Sequence, residues 1–309
     1  MAMIQTINLT KRYGDLMALS NLNLEIEQGD AFGFIGPNGA GKTTTIKVLA
    51  TLLKPTWGEA RIDGLSVGPV NARQVRSVIG YVPDFFGSYE DMVVKEYLEF
   101  FAATYNINGA QRRQVMDDVL ALTDLTHKAD ADVNSLSRGM QQRLSVARVL
   151  LHDPKVLLMD EPASGLDPRA RIEMRELLKE LHRMGKTILI SSHILLELAD
   201  LCNKVGIIEQ GELKFVGTTQ EMLARARTGN VVNVTVDRPD AAADALRQQT
   251  GVLGVERGGA ILKVNLDTNT TAADIASKLV HDGFRLMELE EEKVNLETAF
   301  MRLTKGLVQ

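Results

Sequence analysis

A chain of 309 residues, 45% hydrophobic and 24% charged, has the composition of a globular protein and the length for more than one hydrophobic core. Its formal net charge of -5 argues against a general nucleic-acid binder, whose domains carry a basic excess. The lone Cys202 excludes an intrachain disulfide and a four-cysteine zinc site, and a buried apolar role is expected for it.

The first segment, "MAMIQTINLT", lacks a basic head and a long apolar run, so no signal peptide is expected. "IQTINLT" and "LNLEIE" read as strands around the turn-rich "RYGD", and "DAFGFIG" reads as a buried strand. In "KTTTIKVLATLL", Ile46, Leu49 and Leu53 recur at helical spacing. "EARIDG" and "VRSVIGYV" read as further strands. From about 89 to 152 the pattern turns helical, through "MVVKEYLEFFAATY", "RRQVMDDVLALTDL" and a helix over 139–151 with Met140, Leu144, Ala147 and Leu151 on one face. Then come a core strand "KVLLMD", a helix "RARIEMRELLKELHRM", a strand "KTILISS" and a strand pair "KVGIIEQGELKFVG". Strands alternating with helices favour a mainly parallel α/β sheet. Residues 229–309 read as a separate α+β domain, with strands "NVVNVTV", "AILKVNL" and "FRLMELE" and helices "PDAAADALRQQ", "TAADIASKLVHDG" and "NLETAFMRLTKG". No segment reaches 18 consecutive apolar residues, so no spanning helix is expected, and the chain should be cytosolic or held at a membrane by a partner.

"GPNGAGKTT", Gly36 to Thr44, fits the phosphate-loop pattern G-x-x-x-x-G-K-[ST] between a strand and a helix, the context that motif needs. Gly36, Gly39 and Gly41 let the backbone wrap closely, with Pro37, Asn38 and Ala40 between them. The loop N–H groups and the helix N-terminus face phosphate oxygens. Lys42 reaches the β and γ phosphates, Thr43 offers a hydroxyl to Mg²⁺, and Thr44 is a neighbouring donor. "KVLLMDEP" delivers Asp160 and Glu161 at the C-terminal end of a strand, where open α/β sheets bind ligands. Asp160 is the expected metal contact, and Glu161 is the group expected to accept a proton from attacking water or to orient it. Ser137 in "LSRGMQQR" reads as a helix cap, Gly139 permits close approach to an anion, and Arg138 adds a cation. His193 follows a strand in "SSH" and, taken alone, reads as a polar structural histidine.

The ordered set "GPNGAGKTT", "LSRGMQQR", "VLLMDEP", "SGLDP" and "SSH" resembles the ATP-binding subunit of an ABC transporter across residues 3–220, nearest to the ATPases of ABC-2-type exporters. "NLETAFMRLTKG", Asn295 to Gly306, is similar to the ending of such subunits. The resemblance implies a P-loop ABC ATPase domain over 1–228, with a helical subdomain at about 89–152, followed by an accessory α+β domain over 229–309. It implies a head-to-tail homodimer that binds ATP and Mg²⁺ and a separate membrane permease, with no nucleic-acid partner. By the same resemblance Ser137, Arg138 and Gly139 form the signature loop, Ser137 and Gly139 meet the γ phosphate bound by the partner copy's Lys42, and Asp167 helps couple the two sites. His193 contacts the γ phosphate, Glu161 polarises water, and Tyr13 in "KRYG" stacks on adenine. Two departures stand out. Met140 replaces the glutamine of Leu-Ser-Gly-Gly-Gln, and Asp84 in "GYVPD" replaces the usual Gln or Glu as a metal or water contact. A soluble ABC-type ATP switch and a regulatory ATP-binding module are the alternatives to a transport ATPase.

Overall fold

The computed structural model describes residues 2–87, 92–194, 198, 200–226, 230–267, 269–291 and 296–304. Residue 89, where the helical subdomain is expected to begin, and 228–229, the expected domain boundary, lie outside these. So do Asn295, Lys305 and Gly306 of the terminal motif. Internal packing divides the chain into two units, Met1–Thr219 with Leu303–Gln309, and Gln220–Arg302.

The first unit opens on a long hairpin, β1 (Ala2–Tyr13) and β2 (Leu16–Glu27), turning at Gly14–Asp15. With β4 (Trp57–Ile62) and β5 (Leu65–Ser66) it forms an antiparallel sheet in the order β2-β1-β4-β5. The central sheet contains β3 (Ala31–Ile35), β6 (Ile79–Val82), β7 (Val156–Asp160), β8 (Thr187–Ser192), β9 (Lys204–Glu209) and β10 (Glu212–Gly217), in the order β10-β9-β3-β8-β7-β6. All its pairings are parallel except β9–β10, a hairpin. Every residue of β3, β7 and β8 is buried, as expected of parallel strands covered on both faces. Phe32, Phe34, Ile46, Leu49, Leu158 and Leu189 belong to one core cluster.

The helices of this unit are α1 (Lys42–Leu49), α2 (Ala72–Val78), α3 (Val94–Thr104), α4 (Gly109–Leu122), α5 (Arg138–Leu150) and α6 (Pro168–Arg183), with Thr219 opening α7 (Thr219–Ala226). The reading of "VRSVIGYV" as a single strand is corrected here. Its first half is α2, and the strand begins at Ile79. Val75 and Val78 pack on the core three residues apart, so the β-branched residues that suggested a strand serve a helical face.

Asp30 ends the turn into β3 and is buried. It accepts hydrogen bonds from Asn203 Nδ2 at 2.8 Å, Lys204 Nζ at 3.1 Å and the Glu27 N–H at 2.9 Å. Burial pushes its carboxyl up, but these donors outweigh burial and hold it below 3.8. The folded state therefore favours the charged form. The resulting stabilisation is complete above 3.8 and is lost as pH falls through the lower folded value. Asp30→Asn should lower the melting temperature at neutral pH by a few degrees, and its penalty should shrink under acid. An equal penalty at pH 7 and pH 2.5 in thermal melts would refute this.

Cys202 is buried beside Gly33, whose Cβ would lie 3.3 Å from the sulfur. Burial raises the thiol pKa strongly.

The second unit contains an antiparallel sheet in the order β12-β13-β11-β14: β11 (Asn230–Val236), β12 (Val252–Gly258), β13 (Ile261–Leu266) and β14 (Leu286–Glu291). α8 (Pro239–Arg247) and α9 (Ala272–His281) supply Leu246, Ile275 and Leu279 to its core with Val232, Val234 and Val264. Thr271 and Asp274 cap α9 reciprocally. α10 (Leu296–Leu303) follows β14. β12 escapes the sequence reading because Gly254 interrupts its alternation and Gly258 ends it.

Candidate functional site

β3 ends at Ile35 and α1 begins at Lys42, so the glycine-rich loop spans a strand-to-helix turn. Gly41 adopts φ +107, and a Cβ there would lie 2.7 Å from the Ala18 carbonyl oxygen. At Gly36 it would lie 2.2 Å from the Ile208 carbonyl oxygen. Side chains at either position would force the loop away from its support.

Lys42 is 4% exposed. Its ammonium donates to the carbonyls of Gly36 at 2.7 Å and Pro37 at 3.1 Å and sits 3.4 Å from Glu161 Oε1. Burial lowers its pKa, and the charges of Glu161 and Asp160 oppose that shift. Tyr13, Asn38, Gly39, Ala40, Gly41, Lys42, Thr43, Thr44 and Glu161 line one cavity. Tyr13 is 45% exposed at the end of β1, and the Lys11 ammonium lies 5.1 Å from its ring centre.

β7 and β8 bring the acids to this loop. Thr43 Oγ1 donates to Asp160 Oδ1 at 3.0 Å, and Ser191 Oγ donates to the same oxygen at 2.6 Å. Asp160 Oδ2 is buried and has no hydrogen-bond partner among the described residues. Ser191 Oγ also accepts from the Glu161 N–H at 3.0 Å, so one hydroxyl ties the two acids together. Glu161 adopts φ 48, a left-handed conformation seldom held by a non-glycine residue. The strand ends with this residue turned, so the adjacent carboxylates enter different surroundings. His193 Nδ1 donates to Glu161 Oε2 at 2.8 Å. Glu161 therefore stands between Lys42 and His193. Asp84 is exposed two residues past β6 and does not line the phosphate-loop cavity. Together with burial and Asp160, its charge helps push the Tyr81 hydroxyl up to about 12.

Ser137 and Asp167 lie elsewhere. Each caps a helix: Ser137 Oγ accepts from the Met140 N–H at 3.3 Å, and Asp167 accepts from the N–H groups of Arg169 and Ala170 at 3.0 Å. A serine that accepts the cap bond still has its own hydroxyl proton to donate. Ser137, Gly139, Met140 and Asp167 line a second cavity that shares no residue with the first, and Arg138 is absent from its lining. Gln141, next to Met140, donates its amide to the Val133 carbonyl at 3.3 Å.

Residues 19–164 match the family model described as ABC transporter. The chain is 40% identical over 245 residues to the Nod factor export ATP-binding protein I of Cupriavidus metallidurans, covering 79% of this chain and 80% of that protein.

The chain belongs to the ATP-binding subunits of ABC transporters.

This ABC ATPase is related to export-type members of the family. Among solved structures it is similar to cbiO1 from Clostridium perfringens, part of the ABC transporter complex cbiONQ. The TM-score is 0.66 and the identity 28%, over 72% of this chain and 91% of that one. The dimeric structure of MJ0796, a bacterial ABC transporter cassette, matches at a TM-score of 0.63 and 29% identity over 70% of this chain and 98% of that one. The ABC ATPase is thus an ATP-binding and ATP-hydrolysing transport subunit with an α/β P-loop core. Sequence reading passed over Ser191, the hydroxyl joining Asp160 to Glu161. Its signal was present as the first serine of "SSH", two residues before His193.

Proposed function

We propose that two copies of this chain close head to tail around two ATP molecules and drive export through a separate membrane permease. One observation carries this reading: the lysine loop and the Ser137–Asp167 group line different cavities of one chain. A triphosphate seated on Lys42 gains the second group when another copy brings it. The dimeric MJ0796 cassette supports that arrangement, and the relatives named for Nod factor export support outward transport. Among the described residues no helix is long and apolar enough to cross a membrane. The proposed location is peripheral, on the cytoplasmic face beside the permease.

The loop N–H groups and Lys42 hold the phosphates, and Tyr13, on the same cavity, stacks on the base. Asp160 and Thr43 fit Mg²⁺: a buried carboxylate oxygen with no partner among the described residues and a nearby hydroxyl are hard oxygen donors. Among the described residues no three His, Cys, Asp or Glu side chains form a metal cluster, so the nucleotide and water must complete the coordination shell. Bound there, the ion would neutralise charge on the β and γ oxygens. Glu161 takes the proton from water attacking the γ phosphate. His193 steers Glu161 through Nδ1–H, and a second bond from Nε2 to a phosphate oxygen requires a proton on that nitrogen too. Ser137 and Gly139 of the other copy close the γ phosphate, while Asp167 links the sites. Asp84 is assigned to water or metal contact after closure.

The test is Ser137→Arg. It should leave ADP binding by isolated chains within about twofold and abolish ATP-driven dimers, measured by light scattering. Loss of ADP binding would place Ser137 in its own chain's site and end the reading. The permease is tested separately. Wild-type chains taken from detergent-solubilised membranes should carry a polytopic protein, and their recovery without one would reject the coupling to export.

A further inference from the structure

Arg138 lies over Gly165. A Cβ built on Gly165 would fall 2.5 Å from Arg138 Nη1, 2.6 Å from Cζ and 2.8 Å from Nη2. Three guanidinium atoms at nearly equal distances place the planar group against the glycine Cα. Gly165 also holds φ +66, a conformation that favours glycine. Nearby, a Cβ on Gly139 would lie 2.7 Å from Ala170 Cβ. Deeper along the same helices, Arg143 Nη2 pairs with Glu173 at 3.4 Å. The start of α5 thus meets the loop before α6 through Arg138 and the first turns of α6 through Gly139 and Arg143.

The loop beneath Arg138 begins at Glu161. The Ser164 N–H donates to the Glu161 carbonyl at 3.0 Å, and the loop ends at Asp167, the cap of α6. Glu161 faces this chain's own Lys42, whereas Ser137 adjoins Arg138 on the surface offered to the second copy's nucleotide. Arg138 joins these two ends.

We propose that Arg138 is a positioning residue that couples the two ATP sites, making the Glu161–Asp167 loop and the Ser137 helix tip move as one piece. This rests on the dimer reading above. A displacement of the loop by nucleotide at Lys42 then shifts the group presented to the other site, which is a coupling between binding events. A flat guanidinium suits the task. Lysine keeps the charge but has no plane to lay on Gly165.

The experiment compares wild type, Arg138→Ala and Arg138→Lys by ATPase rate against ATP concentration, with melting temperature and ADP affinity measured alongside. Wild type should show a Hill coefficient approaching about 2, the number of sites. Both variants should fall to about 1 and lose about tenfold in kcat, with ADP affinity and melting temperature unchanged. Arg138 is exposed, and it does not line the phosphate-loop cavity. Restored sigmoidality in Arg138→Lys would show that charge alone suffices and would overturn the proposal. A Hill coefficient unaffected by Arg138→Ala, or near 1 in wild type, would do the same. Failure of the dimer reading is seen separately, as Glu161→Gln chains with Arg138 intact that stay monomeric in ATP.

Discussion

Glu161→Gln is expected to reduce steady-state ATP turnover by about 10²- to 10⁴-fold and to trap ATP-bound dimers. The amide keeps the size of the carboxylate and still accepts the 2.8 Å bond from His193 Nδ1 through its oxygen. What it loses is the ability to take a proton from water. It also removes one negative charge 3.4 Å from the Lys42 ammonium, so the loop binds phosphate at least as well as before. Binding therefore survives while the chemical step stops, and closed pairs accumulate. Phosphate release and light scattering in ATP read the two effects independently. Turnover within a few-fold of wild type would remove Glu161 from the role of base.

Lys42→Ala should also reduce turnover, by about 10³-fold, but with the opposite effect on assembly: no dimer forms in ATP. The 4%-exposed ammonium is held by two loop carbonyls and a carboxylate. Its deletion removes the cation at the phosphates and leaves Glu161 facing them as an uncompensated negative charge. Nucleotide affinity should fall with turnover, and titration calorimetry with ATP measures that loss. Normal affinity would mean that the N–H groups of the loop hold the phosphates without help. Comparing the two variants separates a residue needed for chemistry from one needed for capture.

Much of this was legible in the sequence because local rules and tertiary needs agree. The loop from Gly36 to Thr44 announces itself through glycine spacing. β7 announces itself through four apolar residues followed by two acids. The strand after Val78 was blurred because Val75 and Val78 belong to a short helix whose residue types favour strands. Glycines hid β12. The antiparallel sheet made by the β1–β2 hairpin with β4 depends on pairing residues more than 40 positions apart, such as Ile4 with Ile62, and no local pattern records that. Within the site, side-chain types were readable but their bonds were not. The hydroxyl of Ser191 between two acids, and the guanidinium of Arg138 over Gly165, arise only when separate loops meet.

The burial of Cys202 has a practical consequence. A thiolate is the reactive form, and this one is suppressed by its apolar surroundings. The native chain therefore supplies a nearly silent background for maleimide chemistry. A cysteine introduced at an exposed position such as Arg169 would carry a fluorophore at a single address, and distance changes during the ATP cycle would be followed without first engineering the natural thiol away.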